Sequence, residues 1–225
     1  MTYREAEDLT RPREQPKKPR RPRRKPAESR EQILRAATKE FVTHGFAGAR
    51  VSRIVNKARS NPRMLYHYFG SKSQLYVAVL EEALAGLRQR ELEIDVEHLG
   101  PREGLLRLFD FLLGYFEHNR HLVRLLSAEN MLKAKYMRKS SRIPEMSSPV
   151  LSMIERFIAR GAQAGQLPPG LDALRLYVLM VALTQFHLSN GYTLSTIFGR
   201  DLYDAEWRAA RGTDARGMLA QFLKR

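Results

Sequence analysis

Arg63, Tyr66 and His67 stand three and four residues apart, and Lys72 follows a short step beyond. On a helix that spacing gathers the first three on one face. A guanidinium, a phenol, an imidazole and an ammonium make a set of hydrogen-bond donors. Such donors suit phosphate oxygens and the edges of bases. The chain offers no nucleophile–base triad, phosphate loop or cofactor fingerprint, and no cluster of His, Cys or Asp at metal-ligand spacing. Binding, not catalysis, is therefore the expected chemistry, with no cofactor and no metal.

The flanking residues build the element that presents this set. Asn61 is a good N-cap and Pro62 a good first helical residue. Gly70 comes two turns later, and Ser71 starts another helix with Gln74 completing a capping box. A helix of two turns is unstable alone, so neighbours must hold it and its outer face stays free. Upstream, Val51, Ile54, Val55 and Ala58 repeat at helical spacing, and the turn Arg59-Ser60 joins them to Asn61. Two short helices with so short a turn read as a helix-turn-helix. Leu65 and Phe69 pack inward, but core packing does not explain the basic and aromatic residues between them.

Residues 29 to 80 resemble the DNA-binding domain of the tetracycline-repressor (TetR) family of bacterial regulators. The resemblance is carried by Ile33-Leu34-x-Ala36-Ala37-x-x-x-Phe41, Gly45-Phe46, Ile54-x-x-x-Ala58 and Leu65-Tyr66-His67-Tyr68-Phe69-x-x-Lys72-x-x-Leu75. Three positions depart from the family pattern. Ala49-Arg50 replaces the usual Thr or Ser, Val55 replaces a small residue, and Arg59 replaces a turn glycine. A left-handed Arg costs roughly 1 kcal/mol relative to Gly. The resemblance implies that Pro62, Arg63 and Met64 read bases in double-stranded DNA. It implies phosphate contacts from Tyr66, His67, Tyr68 and Lys72, and from Arg50 and Ser52 on the preceding helix.

Charge agrees with that placement. The 225 residues carry a net +15. Residues 1–28 hold +5, residues 29–72 hold +7, and residues 73–225 only +3. An anionic partner is expected at the amino-terminal end. The absence of cysteine removes disulfide and thiol chemistry and permits a cytoplasmic setting, which is the expected location. No apolar run reaches membrane-spanning length, and no secretory signal opens the chain. Between Arg11 and Lys25 nine basic residues meet one acid among four prolines, a composition that opposes packing. This stretch is either a solvated tail or an arm along phosphates.

The remaining pattern is helical throughout, with no strand signal. The expected class is all-α, with a disordered basic tail at 1–28, a three-helix domain at 29–72 and a larger helical domain at 73–225. A first helix is expected from Ser29, capped with Gln32, to Gly45, and a long helix from Ser71 to about Ile94. Further helices are expected over 102–118, 120–138, 150–164, 172–189, 193–199 and 204–223, with Pro168-Pro169-Gly170 a firm stop. The helix at 172–189 is apolar nearly all round, so it is buried on more than one side. A homodimer interface is expected on this helix and the one at 204–223, with Val181 within it.

For the larger domain the resemblance implies homodimerisation and a cavity for a small-molecule effector. Polarity and position then nominate Asn130, Gln185 and His187 as polar lining, with Glu129 beside Asn130. Phe109, Phe116, Met131, Met153, Phe157 and Tyr177 are nominated as apolar walls. Ordinary core packing is the competing account of each aromatic and Met, and His187 is expected to meet a buried backbone partner. The leading reading is a ligand-responsive, homodimeric repressor on a palindromic operator. An activator, a ligand-independent regulator and a protein-interaction adaptor of the same fold are the alternatives.

Overall fold

Eleven α-helices organise the computed structural model, which describes residues 26–94 and 98–224. The basic stretch Arg11–Lys25 lies outside the described residues. The headpiece comprises α1 (Pro26–Gly48), α2 (Val51–Lys57), α3 (Pro62–Phe69) and the start of α4 (Lys72–Leu92). The body comprises the rest of α4 with α5 (Pro101–His118), α6 (Arg120–Met131), α7 (Arg142–Glu145), α8 (Ser148–Gln163), α9 (Ala173–Ser189), α10 (Gly191–Phe198) and α11 (Ala205–Phe222). No strand occurs among the described residues.

The headpiece core is built from the apolar faces expected of it. Ile33, Ala37 and Phe41 of α1 meet Ile54 and Val55 of α2, Leu65 and Phe69 of α3, and Leu75 and Val79 of α4. The first helix begins earlier than expected. The helix already includes Pro26, the first described residue, so Ser29 lies inside it rather than at its cap. Near its other end Gly45 adopts φ 63°, which kinks the chain into Phe46.

The helix expected over 120–138 stops at Met131. Lys133 and Ala134 take positive φ of 54° and 56°. Their N–H groups close the helix on Asn130 O and Glu129 O at 3.0 and 2.7 Å. The Glu129 carboxylate then accepts from the Tyr136 and Met137 N–H groups, each at 3.0 Å. The tight turn swings Tyr136 into the headpiece, where its ring lies 4.1 Å from Phe46 and 5.2 Å from Tyr76. Leu125 of α6 is buried in the same cluster. Headpiece and body thus share a packed aromatic seam, and α4 runs through both cores.

Candidate functional site

The helix-turn-helix closes without the usual glycine. After α2, the Arg59 N–H bonds to Asn56 O at 3.1 Å and the Ser60 N–H to Val55 O at 2.9 Å. This pair of bonds is a Schellman closure, which needs a left-handed residue between helix and exit. Arg59 adopts it, with φ 49°. The turn geometry is kept at a cost of about 1 kcal/mol.

The local signals for α3 act as expected. The Asn61 side chain accepts from the Met64 N–H at 3.0 Å, and Pro62 opens the helix. Gly70 ends it at φ 71°, its N–H on Tyr66 O at 2.8 Å. A Cβ there would fall 2.3 Å from the Gln74 side-chain oxygen, so the position is crowded as well as left-handed. Ser71 caps α4 by accepting from the Gln74 N–H at 3.1 Å.

These caps aim the donor set. Leu65 and Phe69 face inward, while Pro62, Arg63, Tyr66 and His67 are exposed. Arg50, at the N-cap of α2, and Ser52 are exposed beside them. Met64 and Tyr68 are half-buried against the headpiece core, so each offers only part of its side chain to a ligand. Lys72 is half-buried too, with its ammonium 4.7 Å from the centre of the Phe46 ring. Burial and the charge of Arg53 lower its pKa, against the opposing pull of Glu40.

Glu40 organises this surface, and the sequence reading did not single it out. Its carboxylate is fully buried at the end of α1. It accepts from Arg53 Nε, from the Arg50 N–H at 3.2 Å and from Lys57 Nζ at 3.3 Å. Burial alone would raise its pKa, but the hydrogen bonds from Arg53, Arg50 and Lys57 prevail and hold it below the usual carboxylate value. Arg53 also donates to Gly48 O at 2.6 Å. One buried acid therefore fixes both ends of α2 and engages two of its cations.

In the body the nominated residues divide. Phe109 and Phe116 of α5 and Met153 and Phe157 of α8 are buried in one core cluster. The Phe157 ring sits so close to Gly104 that an added Cβ would meet it at 2.5 Å. All four pack within the body core. Tyr177 is tied into a buried triad instead. Its hydroxyl donates to Glu91 Oε1 at 2.7 Å, and Arg88 Nη1 lies 2.6 Å from both the Tyr177 hydroxyl and Glu91 Oε2. Burial raises the Glu91 pKa, with Arg88 opposing. The triad links the end of α4 to α9 across 86 residues of sequence, which no local pattern could reveal.

Asn130 and Met131 stand apart from the buried core of the body. Both are exposed at the end of α6, Met131 at 87%, because the helix stops there. Gln185 is half-buried. His187 is 3% exposed and meets no backbone partner; neither ring nitrogen has a hydrogen bond. Its Nε2 stands 3.9 Å from Glu117 Oε1. Burial lowers its pKa, and Arg211, Arg208 and Arg120 add to the effect against Glu117. Val181 is half-buried against the body core. The outward face of α9 belongs to Leu174, Val178 and Phe186, and α11 exposes Met218 and Phe222, all at least half exposed.

A family model described as bacterial regulatory proteins, tetR family, matches residues 33–79. A second, for the tetracyclin repressor-like C-terminal domain, matches residues 101–218. The HTH-type transcriptional repressor NicS of Pseudomonas putida is 32% identical over 181 residues, 80% of this chain and 85% of that protein. The HTH-type transcriptional repressor SCO4008 of Streptomyces coelicolor is 30% identical over 165 residues, 72% of this chain and 80% of the relative. Among solved structures, the transcriptional regulator FadR from Bacillus subtilis, in complex with stearoyl-CoA, superposes with a TM-score of 0.65 at 18% identity. That match covers 86% of this chain and 98% of FadR.

Proposed function

We infer from a chain that belongs to the TetR family of bacterial regulatory proteins, and is therefore a helix-turn-helix transcriptional regulator, that it works as a homodimeric repressor. It holds a palindromic operator and leaves it when a small molecule binds the body. The observation that carries the reading is the free donor face of α3, held in place by Asn61, Gly70 and the Glu40 clamp. The repressor sign is supported by the names of the two relatives that cover most of this chain. Ligand response is supported by the acyl-CoA complex of a regulator with the same fold. The family is one of regulators rather than enzymes, and no described helix is long and apolar enough to cross a membrane. Both points favour work beside cytoplasmic DNA.

Arg63 suits a guanine O6/N7 pair, worth roughly 1–3 kcal/mol of discrimination. Pro62 and the exposed part of Met64 complete the reading edge. Tyr66, His67, Tyr68, Lys72, Arg50 and Ser52 hold the flanking phosphates. A second copy covers Leu174 and Val178 of α9 with Met218 and Phe222 of α11, large apolar side chains each at least half exposed. Two headpieces then meet half-sites about 34–36 Å apart. Because α4 runs through both cores, a shift in the body changes that spacing. Effector and operator must weaken each other by one common factor.

Selection of binding sites from random DNA tests the reading. A palindrome should emerge from the wild type. Arg63→Ala should relax one position in each half-site, while Lys72→Ala should weaken all sequences alike. Val178→Asp should give monomers in sedimentation and lose operator binding with them. Recovery of no preferred sequence would reject the reading and favour the adaptor.

A further inference from the structure

His187 faces a cleft of about 420 Å³ between α9, α10 and α11, outside the core formed by α5, α8 and the inner face of α9. Leu194 and Phe198 of α10 and Trp207 of α11 form apolar walls, and Arg211 and Arg200 supply positive charge. Two features set this cleft apart from ordinary packing. First, an imidazole 3% exposed lines it with neither nitrogen hydrogen-bonded. Buried polar groups normally have partners, and an orphan points to a missing one. Second, the nearby charges are unbalanced. Arg208 is already engaged by Glu117 at 2.8 Å and by Tyr203 O at 3.1 Å. Arg211 reaches only Leu183 O, at 3.3 Å, and has no carboxylate partner among the described residues.

We propose that this cleft binds a small organic monocarboxylate with a compact apolar body. The carboxylate lies between Arg211 and His187, and the body lies against Leu194, Phe198 and Trp207. A guanidinium without a carboxylate partner can present two parallel donors to a carboxylate, and the imidazole supplies one more. A phosphate would bring more charge and more oxygens than these inner groups can answer. The mostly apolar lining and the volume suit a ligand of modest size. The proposal deepens the repressor reading and rests on it, since it names the class of effector. It also places that effector beside the face expected to meet the second copy, because Phe186 borders both. An anion beside a neutral His187 raises the affinity of that ring for a proton, so acid binding should tighten as pH falls. The groups that set this dependence are Glu117 of α5, Arg120 of α6, and Arg208 and Arg211 of α11.

Trp207 is the only tryptophan in the chain, so its emission reports this cleft directly. Benzoate and cyclohexanecarboxylate should each be titrated against their carboxamides, on the full-length protein. At least one acid should give a saturable change in emission and bind about tenfold or more tighter than its amide. Arg211→Gln should erase that preference. His187→Leu should erase it too while raising the midpoint of thermal unfolding, which a structural histidine would not do. The proposal is overturned if neither acid gives a saturable response, if amides bind as well as acids, or if Arg211→Gln titrates like the wild type. A Trp207 signal that follows protein concentration and ignores both acids would assign the cleft to the second copy, and equally overturns it. Operator binding is measured in parallel. A chain that retains no preferred DNA refutes the repressor reading, whatever the fluorescence shows.

Discussion

Glu40 in the headpiece and His187 in the body are both shut away from solvent, at 0% and 3% exposure, and they are treated in opposite ways. Glu40 is met by a backbone N–H and two cationic side chains. His187 has no hydrogen bond at all. A buried charge that is fully answered fixes geometry, here the placement of α2 against α1. A buried polar group left unanswered costs stability until something binds it. The DNA-facing region is thus finished before its ligand arrives, whereas the cleft in the body is finished by its ligand.

Glu40→Ala should break the comparison most severely. It strips the Arg50 N–H and the Arg53 and Lys57 side chains of their shared acceptor. Because those cations are partly exposed, the expected loss is about 2–3 kcal/mol rather than the larger cost of a wholly buried pair. Denaturant unfolding should show it, and DNA binding should fail with it. His187→Leu should act in the other direction. Removing an unpaired polar group from an apolar site should add about 1–2 kcal/mol, read as a higher unfolding midpoint. A loss of stability there would mean that His187 has a structural partner after all.

Acid titration separates the two groups by window. Both pKa values are depressed in the folded chain. In each case stability is present above the unfolded pKa and is lost as pH falls toward the folded one. For His187 the decline starts near its ordinary value of 6.5. For Glu40 it starts near 4.5 and continues below. His187→Leu should flatten the upper decline and leave the lower one intact. The part due to His121, whose pKa burial also lowers, should remain. Thermal melts across the two windows measure this.

The sequence carried the headpiece well because its signals are local. Asn61, Pro62, Gly70 and Ser71 act within four residues of themselves, and each sits where its chemistry placed it. Glu40 was illegible because its partners lie 10 to 17 residues away on another helix. Arg88, Glu91 and Tyr177 were illegible for the same reason at longer range. The early end of α6 was hidden differently. Lys133 and Ala134 are poor left-handed residues, and only the Glu129 carboxylate and the docking of Tyr136 make that turn worthwhile. Met131 has the apolar character of a cavity wall, but the early end of α6 leaves it exposed. The breadth of the apolar surface on α9 was legible, but the choice of outward residues was not. Val178 faces out and Val181 packs inward, a matter of helix rotation that an all-round apolar pattern cannot fix.

Arg59 supplies the smallest and sharpest test, because it asks whether the headpiece also keeps a residue against its own stability, as the body keeps His187. It is exposed and left-handed in the helix-turn-helix turn, where glycine would be unstrained. Strained residues that persist at such sites tend to serve function. Arg59→Gly should relieve about 1 kcal/mol of backbone strain, partly offset by the greater freedom that glycine brings to the unfolded chain. The net gain should be a fraction of that, seen as a small rise in the unfolding midpoint. If the guanidinium holds a phosphate beside α3, the same variant should weaken all DNA sequences equally. The slope of log affinity against log salt should then flatten by about 0.9. Greater stability with weaker binding would place Arg59 beside His187, as a residue kept for its ligand. Greater stability with an unchanged salt slope would leave the strain without a function in DNA binding, and the headpiece would then differ from the body in holding nothing in reserve.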